Sequence, residues 1–163
     1  MDTARQSDIF FGKTGELFLT INGKTEDVSK KIRTPQIAEE VPKVASIGEI
    51  REIVTEKLRK MAESDDVIMD GRDIGTHVFP NAELKFFLKA STMERARRRL
   101  KDYEDQGISI TVEEIAEEID DRDKKDSERE HAPLRKAENA IEIDTTHLTI
   151  EEVISIIASK ANN

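Results

Sequence analysis

The sequence predicts an α/β protein with an inserted α+β portion. Three short apolar runs at 67–69, 84–88 and 140–143 are flanked by turn residues and separated by helical stretches, which is typical of buried parallel strands. A β-rich stretch lies near the start of the chain, and amphipathic helical segments lie between and after the runs. The resulting order is hairpin, helix, strand, strand, two helices, strand, helix, as in α/β proteins.

The first element is predicted to be a small antiparallel hairpin. Residues 8–11 and 16–21 are rich in β-forming side chains, and the segment Gly12-Lys13-Thr14-Gly15 between them is typical of a turn. A second turn signal, Asn22-Gly23, follows directly.

Two helices are predicted next. Thr34 has the properties of an N-cap and Pro35 those of a first helical residue, so a helix should open here, with Pro42 and Gly48 expected to interrupt it. Residues 49–63 keep apolar side chains at helical spacing and should form an amphipathic helix.

Three later helices are predicted from capping boxes, in which a hydroxyl side chain and a glutamate three residues on satisfy each other's free amides. The three pairs are Ser91 with Glu94, Thr111 with Glu114 and Thr149 with Glu152.

Composition restricts the class of protein. The chain has 163 residues, a net charge of −9, no cysteine, and 37% charged against 36% hydrophobic residues. We expect residues 1–163 to form one domain that buries roughly 70% of its unfolded surface around a thin core, and to be marginally stable unless a ligand is bound. Without a membrane-length apolar run or a signal-like start, we expect a soluble, cytoplasmic protein with no membrane partner. A pI near 5.0 argues against nucleic acid as a partner.

The strongest local signal for a ligand site is the segment 69–76, MDGRDIGT, which directly follows an apolar run. In open α/β sheets, ligands bind beyond the carboxyl ends of the strands. An arginine between aspartates and near glycines can present two N–H groups to a phosphate, so Arg72 is a candidate phosphate ligand. The alternative is a tight turn in which Arg72 pairs with its own neighbours.

A second signal is the spacing of Arg122, Asp126 and Arg129 at i, i+4 and i+7, which predicts one face of one helix. Ile115 and Ile119 precede them on the same stripe, so the helix should pass from packed core into a polar cleft. The alternative is a solvated ion pair on the surface.

The other motifs in the sequence give little evidence for a ligand or metal site. Gly12-Lys13-Thr14 is not a phosphate-binding P-loop, because Ser7 occupies the position of the required first glycine and a strand pattern follows. The three histidines match no zinc spacing, and no metal site is predicted. A basic run at 95–99 can turn only one or two of its arginines toward a ligand.

Several segments together resemble bacterial cytidylate kinase, a nucleoside monophosphate kinase of the P-loop fold. They are IRTP at 32–35, VIMDGRDIGTHVFPNAELKFFLKAS at 67–91, ERARRR at 94–99, EIDDRDKKDSERE at 118–130, APL at 132–134 and AIEIDTTHLTIEEV at 140–153. The resemblance runs from about residue 8 to the end. It implies a monophosphate-binding insert of hairpin and helices at 8–63, parts of the sheet core at 67–90 and 140–162, and a lid at 91–131.

The resemblance also implies an activity, namely transfer of the γ-phosphoryl group of ATP to CMP or dCMP with Mg²⁺. It implies a role for nine residues: Arg72 on the CMP phosphate, Asp73 and Arg51 on the cytosine ring, Arg122 and Asp126 on the base and ribose side, Arg129 on the phosphates, Arg33 near the monophosphate, and Arg98 or Arg99 on the lid over ATP.

Two departures from the family pattern are expected to matter. The family's first strand and Walker A loop have no counterpart in this sequence, so we expect an N-terminally incomplete chain, completed by another polypeptide or a homodimer. Strands at 67–69 and 84–88 would then lie two strand spacings apart or form a new pairing. A module that binds CMP without turnover is the alternative function, and an acidic helical interaction protein is a third. Pro42 stands where the family has a serine that reads cytosine, which predicts weaker base discrimination.

Overall fold

The computed structural model describes residues 2–63, 66–105 and 107–162. The chain forms two compact units, Met1–Met69 and Asp70–Asn163. The predicted division into insert, core and lid segments is not tested by this partition and stays a prediction.

The first unit contains a three-stranded antiparallel sheet after a short helix α1 (Asp2–Gln6). Strands β1 (Asp8–Phe11) and β2 (Leu17–Ile21) pair as the predicted hairpin. The second turn signal leads into a third strand, β3 (Lys24–Asp27), which was not predicted. Asn22 and Gly23 both have positive φ angles, 51° and 74°, as a tight hairpin turn of the primed type requires.

Helices complete the first unit. A short 3-10 helix, Lys31–Arg33, leads into α2 (Pro35–Ala45), and α3 (Gly48–Met61) follows as predicted. The expectation that Pro42 would interrupt the helix is wrong. A proline forfeits one backbone hydrogen bond, but its carbonyl still accepts one, from the Ser46 amide at 3.1 Å, and the helix continues through it.

The second unit contains two parallel strands, β4 (Phe86–Lys89) and β5 (Ile141–Asp144), close to the predicted positions. The strand predicted at 67–69 is wrong, because this segment has no regular secondary structure and Ile68 is fully exposed. Neither expected arrangement of that strand with 84–88 is therefore present. A buried strand needs hydrogen-bonding neighbours, and an apolar run alone does not supply them.

Three helices lie between and after these strands in the sequence: α4 (Thr92–Asp105), α5 (Val112–Glu128) and α6 (Ile150–Ala161). The capping boxes at Thr111 and Thr149 are complete in both directions. The box at Ser91 is half formed. Its hydroxyl accepts the Glu94 amide at 3.3 Å, but the Glu94 carboxylate accepts from Arg98 on the next turn instead.

The main apolar cluster lies between α4 and α5 and consists of Ala96, Ile115, Ala116 and Ile119. Ile115 is completely buried, and the two alanines allow the helices to approach closely. Within the described residues, no helix combines the length and the apolar character needed to cross a lipid bilayer.

Replacing Ile115 with valine is expected to lower the free energy of unfolding by about 0.5–1.5 kcal/mol, because one buried methylene is lost. The matched control is Ile154→Val, at a residue that is 59% exposed, which should change it by less than about 0.5 kcal/mol. Urea denaturation followed by circular dichroism measures both. Equal destabilisation by the two variants would contradict the placement of the core.

Candidate functional site

The candidate site is a group of charged side chains in the second unit, called here the arginine–aspartate cluster. It brings together a loop, two helices and the segment after the second helix. Its members are Arg72, Asp73, Arg95, Arg122, Asp123, Asp126 and Arg129.

Arg72 and Asp73 are positioned by the turn that follows them. The Asp73 carbonyl accepts the His77 amide at 2.8 Å and the Val78 amide at 3.2 Å, within a π-helical turn at Ile74–Val78. A Cβ at residue 71 would lie 2.8 Å from a side-chain carbon of Ile74, so any larger residue there would force that side chain to move. This π-helical turn thus fixes the backbone from which Arg72 extends. Such π-helical turns occur frequently at functional sites.

Asp126 is the centre of the cluster. Its Oδ2 lies 2.6 Å from Arg72 Nε and 3.9 Å from Arg122 Nε, and its Oδ1 lies 3.3 Å from Arg129 Nη1. Only 19% of its side chain is exposed. The structure therefore brings Arg72 to the same carboxylate as Arg129, although the two arginines are far apart in the sequence.

Arg72 is paired across the unit with α5, and not only within its own turn. Besides Asp126, it approaches Asp123, with Nη1 at 3.7 Å from Oδ1. The alternative of a turn in which Arg72 pairs with its sequence neighbours does not account for these contacts. Arg122 is closer to the alternative of a solvated surface ion pair. Its side chain is 55% exposed, and its contact with Asp126 is long, at 3.9 Å.

Arg95 was not singled out from the sequence as a member of the site. Its Nη1 lies 2.6 Å from Asp123 Oδ2, so it holds the carboxylate that also faces Arg72. A signal existed: Asp123 lies one turn before Asp126 on α5, and Arg95 is the first arginine of the basic run. Their pairing depends on the packing of α4 against α5, which the sequence pattern did not reveal.

Arg129 corrects the sequence interpretation. The prediction that it lies on the helix is wrong, because α5 ends at Glu128 and Arg129 has extended backbone angles, φ −65° and ψ 143°. Its side chain nevertheless turns toward Asp126, while its Nε donates to the Ala132 carbonyl at 2.6 Å. The Leu134 amide donates to the Asp126 carbonyl at 2.8 Å and closes the loop against the helix end. Arg129 Nη2 also lies 3.9 Å from Asp73 Oδ1.

The electrostatics of the cluster favour an anion. Four guanidinium groups face three carboxylates, which leaves one positive charge in a chain whose net charge is −9. Burial lowers the pKa of Arg122 from its ordinary value, the positive charge of Arg72 lowers it further, and Asp126 opposes both effects. An incoming oxyanion would relieve the mutual repulsion of the arginines.

The remaining predicted residues lie elsewhere. Arg98 donates to the Thr145 carbonyl at 2.6 Å, and Arg99 places its guanidinium 5.4 Å from the centre of the Tyr103 ring. Arg33 ends the 3-10 helix and Arg51 lies on α3, both in the first unit. Among the described residues, no three histidine, aspartate or glutamate side chains form a metal site.

We expect Asp126→Asn to lower the free energy of unfolding by about 1–3 kcal/mol, because two poorly exposed guanidinium groups lose their shared carboxylate. Asp121→Asn, at an exposed position of the same helix, is the matched control and should have an effect below about 0.5 kcal/mol. Chemical denaturation compares them. An unchanged stability of Asp126→Asn would show that these ion pairs do not hold the cluster.

The family model described as cytidylate kinase matches residues 1–163. A cytidylate kinase of Lactobacillus johnsonii is 50% identical over 158 residues, covering 94% of this chain and 68% of the relative. Those of Bacillus licheniformis and Clostridioides difficile are 49% and 46% identical, and the match covers 69% and 71% of their lengths. The mixed α/β structure, with its parallel strands and antiparallel hairpin, is consistent with this family, and the chain belongs to the cytidylate kinases.

Proposed function

We propose that this chain transfers the γ-phosphoryl group of ATP to CMP or dCMP, giving CDP or dCDP. Membership of the cytidylate kinase family supports the reaction class. The observation that carries the assignment to particular residues is the meeting of Arg72 and Arg129 on Asp126. Two guanidinium groups held by one carboxylate form a preorganised site for a phosphate.

Arginines suit this reaction because phosphoryl transfer depends mainly on positioning and on neutralising charge in the transition state. In our proposal Arg72, Arg122 and Arg129 supply that charge. Each guanidinium has five N–H donors, and the ion pairs with Asp126 use only part of them. The N–H groups of Arg72 and Arg122 that these ion pairs do not use can bind phosphate oxygens while Asp126 fixes the orientation of the groups.

The other predicted residues receive proposed roles from the family resemblance. Asp73 and Arg51 would contact the cytosine ring, Arg122 and Asp126 the base and ribose side, and Arg33 the region of the monophosphate. Arg98 and Arg99 would bind ATP from the lid. Arg98 is held by the Thr145 carbonyl and by Glu94, and its side chain is still 44% exposed, so its donors are accessible to a ligand.

Cytidylate kinases in general use ATP and Mg²⁺, and we propose both for this chain. The described arginines fit the phosphates of ATP. The described carboxylates of the cluster are engaged by arginines, so we assign no protein ligand to Mg²⁺. The expected cytoplasmic location and the expected complementing chain or homodimer stay predictions.

A second candidate is a module that binds CMP without turnover. Residues 1–163 contain no segment of the form GxxxxGK[ST], the loop that holds the phosphates of a nucleoside triphosphate in P-loop enzymes. Such a module would still use Arg72 and Arg129 to hold the nucleotide phosphate. Binding and turnover must therefore be measured separately.

Arg72→Lys and Arg129→Lys are each expected to lower kcat/KM for CMP by about 10- to 100-fold, since lysine keeps the charge but loses the forked pair of donors. Arg97→Lys is the matched control, because its side chain is 65% exposed and it has no proposed role. A coupled assay with CMP and ATP measures the rates. Wild-type rates in both cluster variants would contradict the proposed site.

Calorimetry with CMP and no ATP measures binding, the coupled assay with CMP and ATP measures turnover, and the two results together distinguish the candidate functions. Binding accompanied by turnover supports the kinase, whereas binding without turnover supports the silent module. No binding of CMP would contradict both and would favour an interaction protein.

Pro42→Ser is expected to raise the preference for CMP over UMP by about fivefold or more, because a hydroxyl that can read the base edge is worth roughly 1–3 kcal/mol in a polar pocket. Pro42→Ala is the matched control, since it removes the ring without adding the hydroxyl. The ratio of kcat/KM values for CMP and UMP measures the effect. An equal ratio in the two variants would show that residue 42 does not read the base.

A further inference from the structure

The second unit contains a cavity of about 590 Å³ that the proposed kinase reaction does not use. Three basic side chains line it, Lys85, Arg135 and Lys136, with Glu138 and Asn139 beside them. None of the four arginines of the arginine–aspartate cluster lines it. The cavity therefore has its own set of charged groups.

Lys85 is the most constrained of these residues. It is only 8% exposed, and its ammonium donates to the Pro80 carbonyl and to Asn139 Oδ1, the latter at 2.9 Å. Both acceptors are neutral. An ammonium has three N–H donors, so one remains. Among the described residues, no carboxylate lies within 4 Å of its nitrogen. A buried cation without a counter-ion is unfavourable, and an anion in the cavity would compensate it.

Lys85 lies next to the amino ends of strands β4 and β5. Its backbone carbonyl accepts the Ile141 amide at 2.9 Å, immediately before β4 and at the start of β5. Gly75 makes room for its side chain, because a Cβ at residue 75 would lie 3.2 Å from Lys85 Cδ. The cavity thus lies at the amino ends of the two parallel strands. Arg98 of α4, by contrast, binds Thr145 just beyond the carboxyl end of β5.

The other charges of the cavity are not balanced. Lys136 is paired with Glu142 at 3.2 Å. Arg135 is exposed and forms no ion pair within the described part of the chain. Glu138 supplies the one carboxylate among the lining residues. Lys85 and Arg135 therefore leave a net positive charge here, in a chain that is acidic overall.

We propose that this cavity binds a phosphate group, either inorganic phosphate or the phosphate of a small metabolite, at a site separate from the arginine–aspartate cluster. Lys85 and Arg135 contact the anion, and Asn139 holds Lys85 in place. Glu138 weakens the binding by repulsion. The volume exceeds that of a phosphate ion, so the cavity has room for the rest of a small phosphorylated molecule.

Titration of the full chain with inorganic phosphate, followed by ¹H–¹⁵N NMR, tests this proposal. We expect saturable shifts of the Gly75, Thr76 and Asn139 amides. Arg135→Gln should weaken the binding about two- to fivefold, because one exposed charge is lost, and Glu138→Gln should tighten it by a similar factor. Lys160→Gln, at an exposed lysine on α6, is the matched control and should leave the affinity unchanged.

Arg135→Gln and Glu138→Gln change exposed side chains, so neither variant depends on replacing the buried Lys85. Parallel titrations with CMP and with cytidine identify the source of the phosphate. Shifts of the Asn139 amide, which lies outside the turn that positions Arg72, assign a nucleotide phosphate when CMP causes them and cytidine does not, and they assign the free ion when inorganic phosphate alone causes them. Either result supports the site.

Three results would overturn the proposal. The first is an absence of shifts at these amides with both phosphate and CMP. The second is an equal affinity in Arg135→Gln, Glu138→Gln and the wild type. The third is loss of the shifts in Arg72→Lys, which would place the bound phosphate in the arginine–aspartate cluster.

Discussion

The geometry of the candidate site depends on one carboxylate. Asp126 forms an ion pair with Arg72 through one oxygen and accepts a hydrogen bond from Arg129 on the other, and each arginine comes from a different part of the chain. Guanidinium groups this close repel one another, as the lowered pKa of Arg122, caused by burial and then by Arg72, illustrates. Without a shared counter-charge the arginines would separate into solvent. The carboxylate therefore keeps a cationic surface assembled before any anion arrives.

The small apolar cluster of the second unit places this carboxylate. Ile115 and Ile119 are buried against Ala96 on α4, and Asp123 and Asp126 follow on the next turns of α5. Because alanine is small, α4 approaches closely enough for an arginine on one helix to reach an aspartate on the other. The core is thin, but it lies where it fixes the relative position of the two helices that carry the site.

Local signals predicted most of the elements, and apart from the expected break at Pro42 the errors arose where the structure depends on non-local contacts. The turn at Asn22-Gly23 and the capping box at Thr111 act within a few residues, so they could be read from the sequence. The strand expected at 67–69 could not be predicted reliably in this way. A strand forms only when partner strands satisfy its backbone hydrogen bonds, and an apolar run in the sequence does not reveal whether such partners exist. The π-helical turn after Arg72 has no local signature comparable to a capping box.

The same distinction applies to the site. The spacing of Arg122 and Asp126 predicted their proximity on one helix, and the i+7 spacing also predicted that Arg129 belongs to the same site. Yet Arg129 reaches Asp126 from outside the helix, through a loop closed by the Leu134 amide. The pair of Arg95 with Asp123 was missed because it spans two helices. Prediction from spacing worked where residues share an element.

Because the chain is acidic overall, binding of an anion must depend on the local arrangement of the arginines in the cluster. At a net charge of −9 the chain repels nucleotides at long range, although this repulsion is screened beyond about 8–10 Å at physiological ionic strength. Capture of an anion then depends on attraction over short distances, where partly buried charges are screened much less than exposed ones. Arg72 and Arg129, with 33% and 19% of their side chains exposed, meet this condition better than Arg122 at 55%. In the binding role proposed for the cluster, the first two arginines should therefore contribute most of the affinity for a phosphate, and the more exposed Arg122 should contribute less.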